Sequence, residues 1–230
     1  MRKIMLNGRW ELAEAGKDTL CEVQVPGSVL SGLYGAGKIE DPFYRTNEDA
    51  TRELFWKDYE FCRTFVVAEE ALKEEKVALV CEGLDTLTDI YINGKKAGST
   101  DNMHRTWKLN VKEFLHAGEN QIRIVFRSVF KYIEDYEYEE NEMVNTGTMP
   151  GSQYIRKAHS MFGWDWGPQT IDVGIFRDIY LEAYSHPRIE DVKITQRHGD
   201  NAVDVCTTVV VSGDAVDKCQ VRVTIQEDAE

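Results

Sequence analysis

Long apolar runs, paired cysteines and positive charge are scarce in this 230-residue sequence, and each shortage excludes something. No run of ~18 apolar residues occurs, so no membrane-spanning helix and no membrane partner are expected. The opening MRKIMLNGRWEL has a basic pair but lacks the ~7–15 apolar residues of a secretory leader, so a soluble, cytoplasmic chain is expected. The five cysteines (Cys21, Cys62, Cys81, Cys206 and Cys219) are odd in number, scattered and without CxxC spacing. Neither a disulfide framework nor a zinc site follows from them, and a reducing compartment is the simplest setting. Lys and Arg number 27 against 40 Asp and Glu, and the net charge of −13 repels a polyanion. Nucleic acid is therefore not expected as a partner.

Helical signal is scarce too. Pro26-Gly27-Ser28 can cap a short helix through Gly35, and Val111 to Leu115 reads as one turn before Gly118. What is abundant is short apolar alternation broken by turn residues, the pattern of an antiparallel β-sandwich. Residues 61–67, 77–81, 88–92, 121–126 and 178–183 all fit, and Asn93-Gly94 can supply the positive φ angles of a tight hairpin. Residues 132–142, YIEDYEYEENE, interleave acids with aromatics. They read as a solvated face, since the D-x-[DN]-x-[DN]-G spacing of a calcium loop is missing.

The texture changes near Ser185-His186-Pro187, and strands are expected at 189–195, 203–211 and 220–225. Only about half of the ~100 residues of an immunoglobulin-like sandwich come after Pro187. The expected division is residues 1–185 as one β-sandwich and 186–230 as an incomplete second one. Unpaired edges there would invite self-association.

The stretch FGWDWGP, residues 162–168, takes two of the five tryptophans and places Asp165 between them. Indole is costly to expose and needs a partner for its N–H when buried. An aromatic platform beside a carboxylate acceptor suits a sugar, which offers a C–H face and a rim of hydroxyls. On a regular strand Trp164 and Trp166 would face one way and Asp165 the other, so a shared pocket requires a bend near Gly163 or Gly167. Either ring could instead pack a core or a domain interface.

Several ordered stretches together resemble glycoside hydrolase family 2, and within it the β-mannosidases: NGRWEL, VPGSVLSGLY with IEDPFYRTNE, FWKDYEF, GLDTLTDIYINGKKAGSTDNMHRTW, and IRKAHSMFGWDWGP with GIFRDIYLEAY. The resemblance runs from about Asn7 to Tyr184. It implies an all-β jelly-roll sugar-binding domain over residues 1–185, the start of an immunoglobulin-like sandwich over 186–230, and a (β/α)₈ barrel carrying both catalytic glutamates. A barrel of ~250 residues is longer than this chain, so no catalytic residue is assigned here and the chain alone is expected to be inactive.

The resemblance further implies that Trp164, Asp165 and Trp166 line the subsite of a terminal, non-reducing β-mannose, with Asp165 as hydroxyl acceptor. The implied partners are carbohydrate and the barrel, and no cofactor or metal is implied. A stand-alone carbohydrate-binding module, or part of an exo-β-glucosaminidase, β-galactosidase or β-glucuronidase, are the alternative functions. Asn47-Glu48 and Asn141-Glu142 mimic the catalytic Asn-Glu pair of this clan, but neither ends an apolar strand, and both read as loop or surface. Arg156 and Lys157 could set positive charge near Asp165, or guard a strand edge. His159 reads as structural or exposed. Asp41 to Tyr44 and Asn102 to Arg105 read as loops that pack against the barrel.

Overall fold

Alternation between buried and exposed side chains decides the strands. The structure, a computed structural model, describes residues 2–134, 148–213 and 216–225. The acidic stretch beyond Glu134, with Asn141-Glu142, lies outside them.

In chain order the elements are β1 (Arg2–Met5), β2 (Gly8–Glu14), β3 (Thr19–Val25), β4 (Gly27–Ser28), α1 (Val29–Gly35), α2 (Asn47–Leu54), β5 (Tyr59–Val67), α3 (Glu69–Leu72), β6 (Lys76–Cys81), β7 (Leu84–Asp85), β8 (Thr88–Ile92), β9 (Lys95–Thr100), β10 (Trp107–Asn110), β11 (Gly118–Phe126), α4 (Val129–Glu134), β12 (Gly174–Ile175), β13 (Ile179–Tyr184), β14 (Arg188–His198) and β15 (Val203–Ser212). Along β11 every second residue from Asn120 to Phe126 is buried, as period-two geometry requires of a strand with one face on a core.

Contacts divide the chain into two units, Arg2–Ala183 and the segment from Tyr184 onward. In the first, a six-stranded sheet of order β3-β2-β5-β11-β8-β9 and a four-stranded sheet of order β1-β13-β6-β10 enclose the core, with a small β4-β12-β7 sheet beside them. All named pairings are antiparallel. Trp10, Leu12, Phe61, Ile90, Ile124 and Phe126 from the larger sheet join Leu79, Ile179 and Leu181 from the smaller one in a single apolar cluster. This is the all-β jelly-roll sandwich expected. The Asn93-Gly94 turn joins β8 to β9 with φ of 49° and 78°. Ser28 caps α1 reciprocally: its Oγ accepts from Ser31 N at 3.2 Å, and Ser31 Oγ accepts from Ser28 N at 2.9 Å.

Two expectations are corrected. Asn47-Glu48, read as loop or surface, is surface but not loop: it forms the first turn of α2. Glu48 and Asp49 at its start and Arg52 at its end complement the helix dipole, while only Thr51 is buried, so the apolar period that marks helices in sequence is absent. In the second unit β14 and β15 form a hairpin, but Gln220 to Ile225 pairs with no strand among the described residues. Alternation permits a strand; only a neighbouring edge makes one. A register shift between Ile189 and Asp191 keeps Ile189 on the same hairpin face as Val192 and Ile194, opposite Val209 and Val211.

Candidate functional site

The sequence FGWDWGP forms neither a strand nor a core segment. It begins at Phe162, which is fully buried, and then turns sharply. Gly163 has φ of 92° and Gly167 of 145°, and between them Trp164–Trp166 make one turn of 3₁₀ helix. Both glycines occupy backbone regions that a Cβ disfavours. Trp164 is itself at φ of 65°, rare for a bulky residue. Such conformations persist only where the surroundings enforce them. The required bend is thus present at both glycines. Trp164 is 54% exposed, and Asp165 is exposed beside it. Trp166 completes the turn.

The segment carrying this turn is pinned at its base by a residue whose role the sequence did not reveal. Lys157 is fully buried, and its Nζ donates to Asp85 Oδ2 and to the Asp172 carbonyl, each at 2.5 Å. Neither an edge guard nor a neighbour of Asp165 describes it: a buried ammonium requires a counter-charge, and Asp85, 72 residues away in sequence, supplies it. Thr86 Oγ1 donates to the other Asp85 oxygen. Burial pushes the Lys157 ammonium pKa down, while Asp85 works against that shift. The signal was charge set among apolar residues, Asp85 in GLDTL and Arg156-Lys157 in YIRKA, which alone does not say that Asp85 and Lys157 meet.

Asp172 closes the same segment. Its Oδ1 accepts from Leu30 N at 3.1 Å and Val173 N at 2.8 Å, tying β12's approach to the start of α1. Burial pushes its carboxyl up to about 6, against bonds from Ser28, Leu30 and Val173 and the charge of Lys157. Asp172 also reaches a 530 Å³ cavity whose wall includes Tyr34, Phe43, Met161 and Thr170. Phe43 and Tyr44, in the segment expected to meet a barrel, are 72% and 56% exposed. Arg156 and His159 are also exposed. The Asn102–Arg105 segment folds locally, with Asn102 O accepting from Trp107 Nε1 at 2.9 Å and Arg105 lying over the Trp107 ring. Met103 links it to the candidate site twice: its N donates to Arg156 O at 3.0 Å, and its Sδ accepts from Ala158 N at 3.0 Å.

Comparison with known proteins fits this fold. Residues 10–177 match the family described as glycosyl hydrolase 2 galactose-binding domain-like. The chain belongs to this family. Among its relatives, the β-mannosidase of Capra hircus is 29% identical over 93% of the chain, and that of Mus musculus 30% identical over 78%. The crystal structure of the β-D-mannosidase of Dictyoglomus thermophilum superposes with a TM-score of 0.81 at 32% identity, over 92% of the chain. The family assignment, with these relatives, makes the chain a β-mannosidase-like, N-terminal glycosyl hydrolase 2 domain. It spans about a quarter of the length of those relatives, 26% for the goat enzyme and for the Dictyoglomus structure. Within this family domain, no helix among the described residues is long and apolar enough to cross a membrane.

Proposed function

We propose that this chain is a non-catalytic part of a retaining exo-β-mannosidase and supplies one wall of the subsite for a terminal, non-reducing β-mannose. The observation that carries the reading is the glycine-bracketed turn, which holds an indole and a carboxylate side by side and exposed. Trp164 offers a face for sugar C–H groups, Asp165 accepts hydroxyl hydrogen bonds, and Trp166 is assigned to the same wall. The β-mannosidase names of the relatives, and their fourfold greater length, support placing the catalytic carboxylates outside this chain. Residues 1–185 are then the jelly-roll domain and 186–230 the beginning of an immunoglobulin-like sandwich, a reading favoured by the apolar face of the β14–β15 hairpin.

The test is kcat/KM on an aryl β-mannoside for the whole enzyme, wild type and Asp165→Ala, with both melted to confirm folding. One hydrogen bond to a charged group is worth about 1.5–3 kcal/mol, so the ratio should fall about 10- to 150-fold. An unchanged ratio removes Asp165 from the site. The 230-residue chain alone should release no sugar and bind mannose weakly; turnover would overturn its non-catalytic role, and tight binding would favour a stand-alone binding module.

A further inference from the structure

Trp164–Trp166 make a turn of 3₁₀ helix, not a strand, between two glycines of positive φ. The turn holds Trp164 itself at positive φ, a conformation that its surroundings must enforce. Lys157 fixes where the segment leaves the core, but it acts at the base, seven residues before Trp164.

Nearer the tip, the side chain of Gln169 lies flat against Gly163: a Cβ on that glycine would come within 2.7 Å of Gln169 Cγ and 3.2 Å of its Nε2. Gln169 Oε1 in turn accepts from Arg52 Nη1 at 2.8 Å. The other terminal nitrogen of Arg52 pairs with Asp49 in the same helix, three residues back. A guanidinium is planar and presents its donors in a fixed fork, so holding Asp49 with one arm aims the other at Gln169. Each contact passes geometry on to the next: Asp49 sets Arg52, Arg52 sets Gln169, and Gln169 limits where Gly163 can go.

We infer that Arg52 and Gln169 are positioning residues for the Trp164–Trp166 turn, a brace running from α2 to the glycine on which the turn pivots. The importance of the brace to catalysis rests on the subsite reading above; its effect on the turn does not. Gly163 is glycine here for two independent reasons, its positive φ and the room its missing Cβ leaves for Gln169. Neither Arg52 nor Gln169 need touch sugar to matter, since a displacement of about 1 Å in a binding group is costly.

The experiment uses the 230-residue chain labelled with 5-fluorotryptophan, its five ¹⁹F signals assigned by single Trp→Phe changes. Arg52→Ala and Gln169→Ala should each move the Trp164 and Trp166 signals and leave those of Trp10 and Trp107 in place. The double variant should match the singles, because both break one chain of contacts. Gln169→Glu, which keeps an acceptor for the guanidinium, should return the signals toward wild type. In the whole enzyme Arg52→Ala should lower kcat/KM about tenfold, the scale of one lost hydrogen bond to a charged group.

Unmoved Trp164 and Trp166 signals in folded Gln169→Ala would overturn the brace, and so would additive effects in the double variant. If Arg52→Ala does not fold, Gln169→Ala and Gln169→Glu decide the matter by themselves. Should Asp165→Ala leave the enzyme unimpaired while the Trp164 signal still moves in Gln169→Ala, the subsite reading fails and the brace stands.

Discussion

Asp172 sits under two opposed demands. Its Oδ1 receives two main-chain N–H groups, which favour the carboxylate, while burial favours the acid and prevails, setting the group at about 6. In an unfolded chain an Asp titrates near ~3.9. Between those values the folded state binds more protons than the unfolded one, so this group's contribution to stability is fully present below about 4 and is lost as pH rises through about 6. Two other carboxyls work oppositely. Glu14, held low by Lys17 and then Lys57, and Asp89, where Lys96, Ser99 and Arg127 outweigh burial, contribute stability that is lost as pH falls. The comparison that isolates Asp172 is therefore with Asp172→Asn, which keeps an oxygen for Leu30 and Val173 but cannot ionise. Wild-type melting temperature minus that of Asp172→Asn should decrease from pH 4 to pH 7; a difference that stays flat would remove Asp172 from the pH response.

At the scale of elements, α1 is short and depends on its ends. A seven-residue helix is marginal in isolation, and Ser28 satisfies one of its free N–H groups while Ser31 returns the bond. Ser28→Ala should cost about 1 kcal/mol, read as a lower urea midpoint with unchanged slope. A midpoint that does not move would mean that packing of Val29, Leu30 and Leu33 holds the helix without its cap. This cap was legible in the sequence because Pro-Gly-Ser before an apolar run states its chemistry locally. The strands at 61–67, 77–81, 88–92, 121–126 and 178–183 were legible for the same reason, since period two, or at 77–81 a short run buried throughout, is a local signal. What escaped was decided by distant partners. The α2 helix has almost no buried face to set a period, and Lys157 found Asp85 across 72 residues. Gln220 to Ile225 has the pattern of a strand, with no paired edge among the described residues. Of the candidate site, the aromatic and acidic content and the need for a bend were readable. The brace through Gln169 was not, because nothing in FGWDWGP specifies what lies against Gly163.

For the whole molecule, the main apolar cluster uses no residue after Ala183 among those described. The larger unit therefore contains its own core and meets the condition for folding alone. A chain ending at Ser185 should melt cooperatively within about 2 °C of the corresponding transition in the 230-residue chain, because little of the enthalpy of that transition lies beyond the cut. Loss of cooperative melting in calorimetry would show that the larger unit depends on residues beyond Ser185 for its stability.

The bond from Lys157 to the Asp172 carbonyl gives the molecule a neck: the loop of residues 158–171 starts and ends at one buried point, sends Phe162 and Ile171 into the core, and carries the tryptophan turn between them. Adding or deleting one residue in a strand turns every later side chain to the opposite face, but beyond a closed neck the same change leaves each strand's register untouched. Lengthening such a loop is also inexpensive, with a doubling costing roughly 0.6 kcal/mol of closure entropy. Residues 164–168, between the buried Phe162 and the tethered Gln169, are therefore a stretch that inheritance or design can lengthen, shorten or rewrite to present a different surface, provided that Phe162 and Ile171 keep their places in the core.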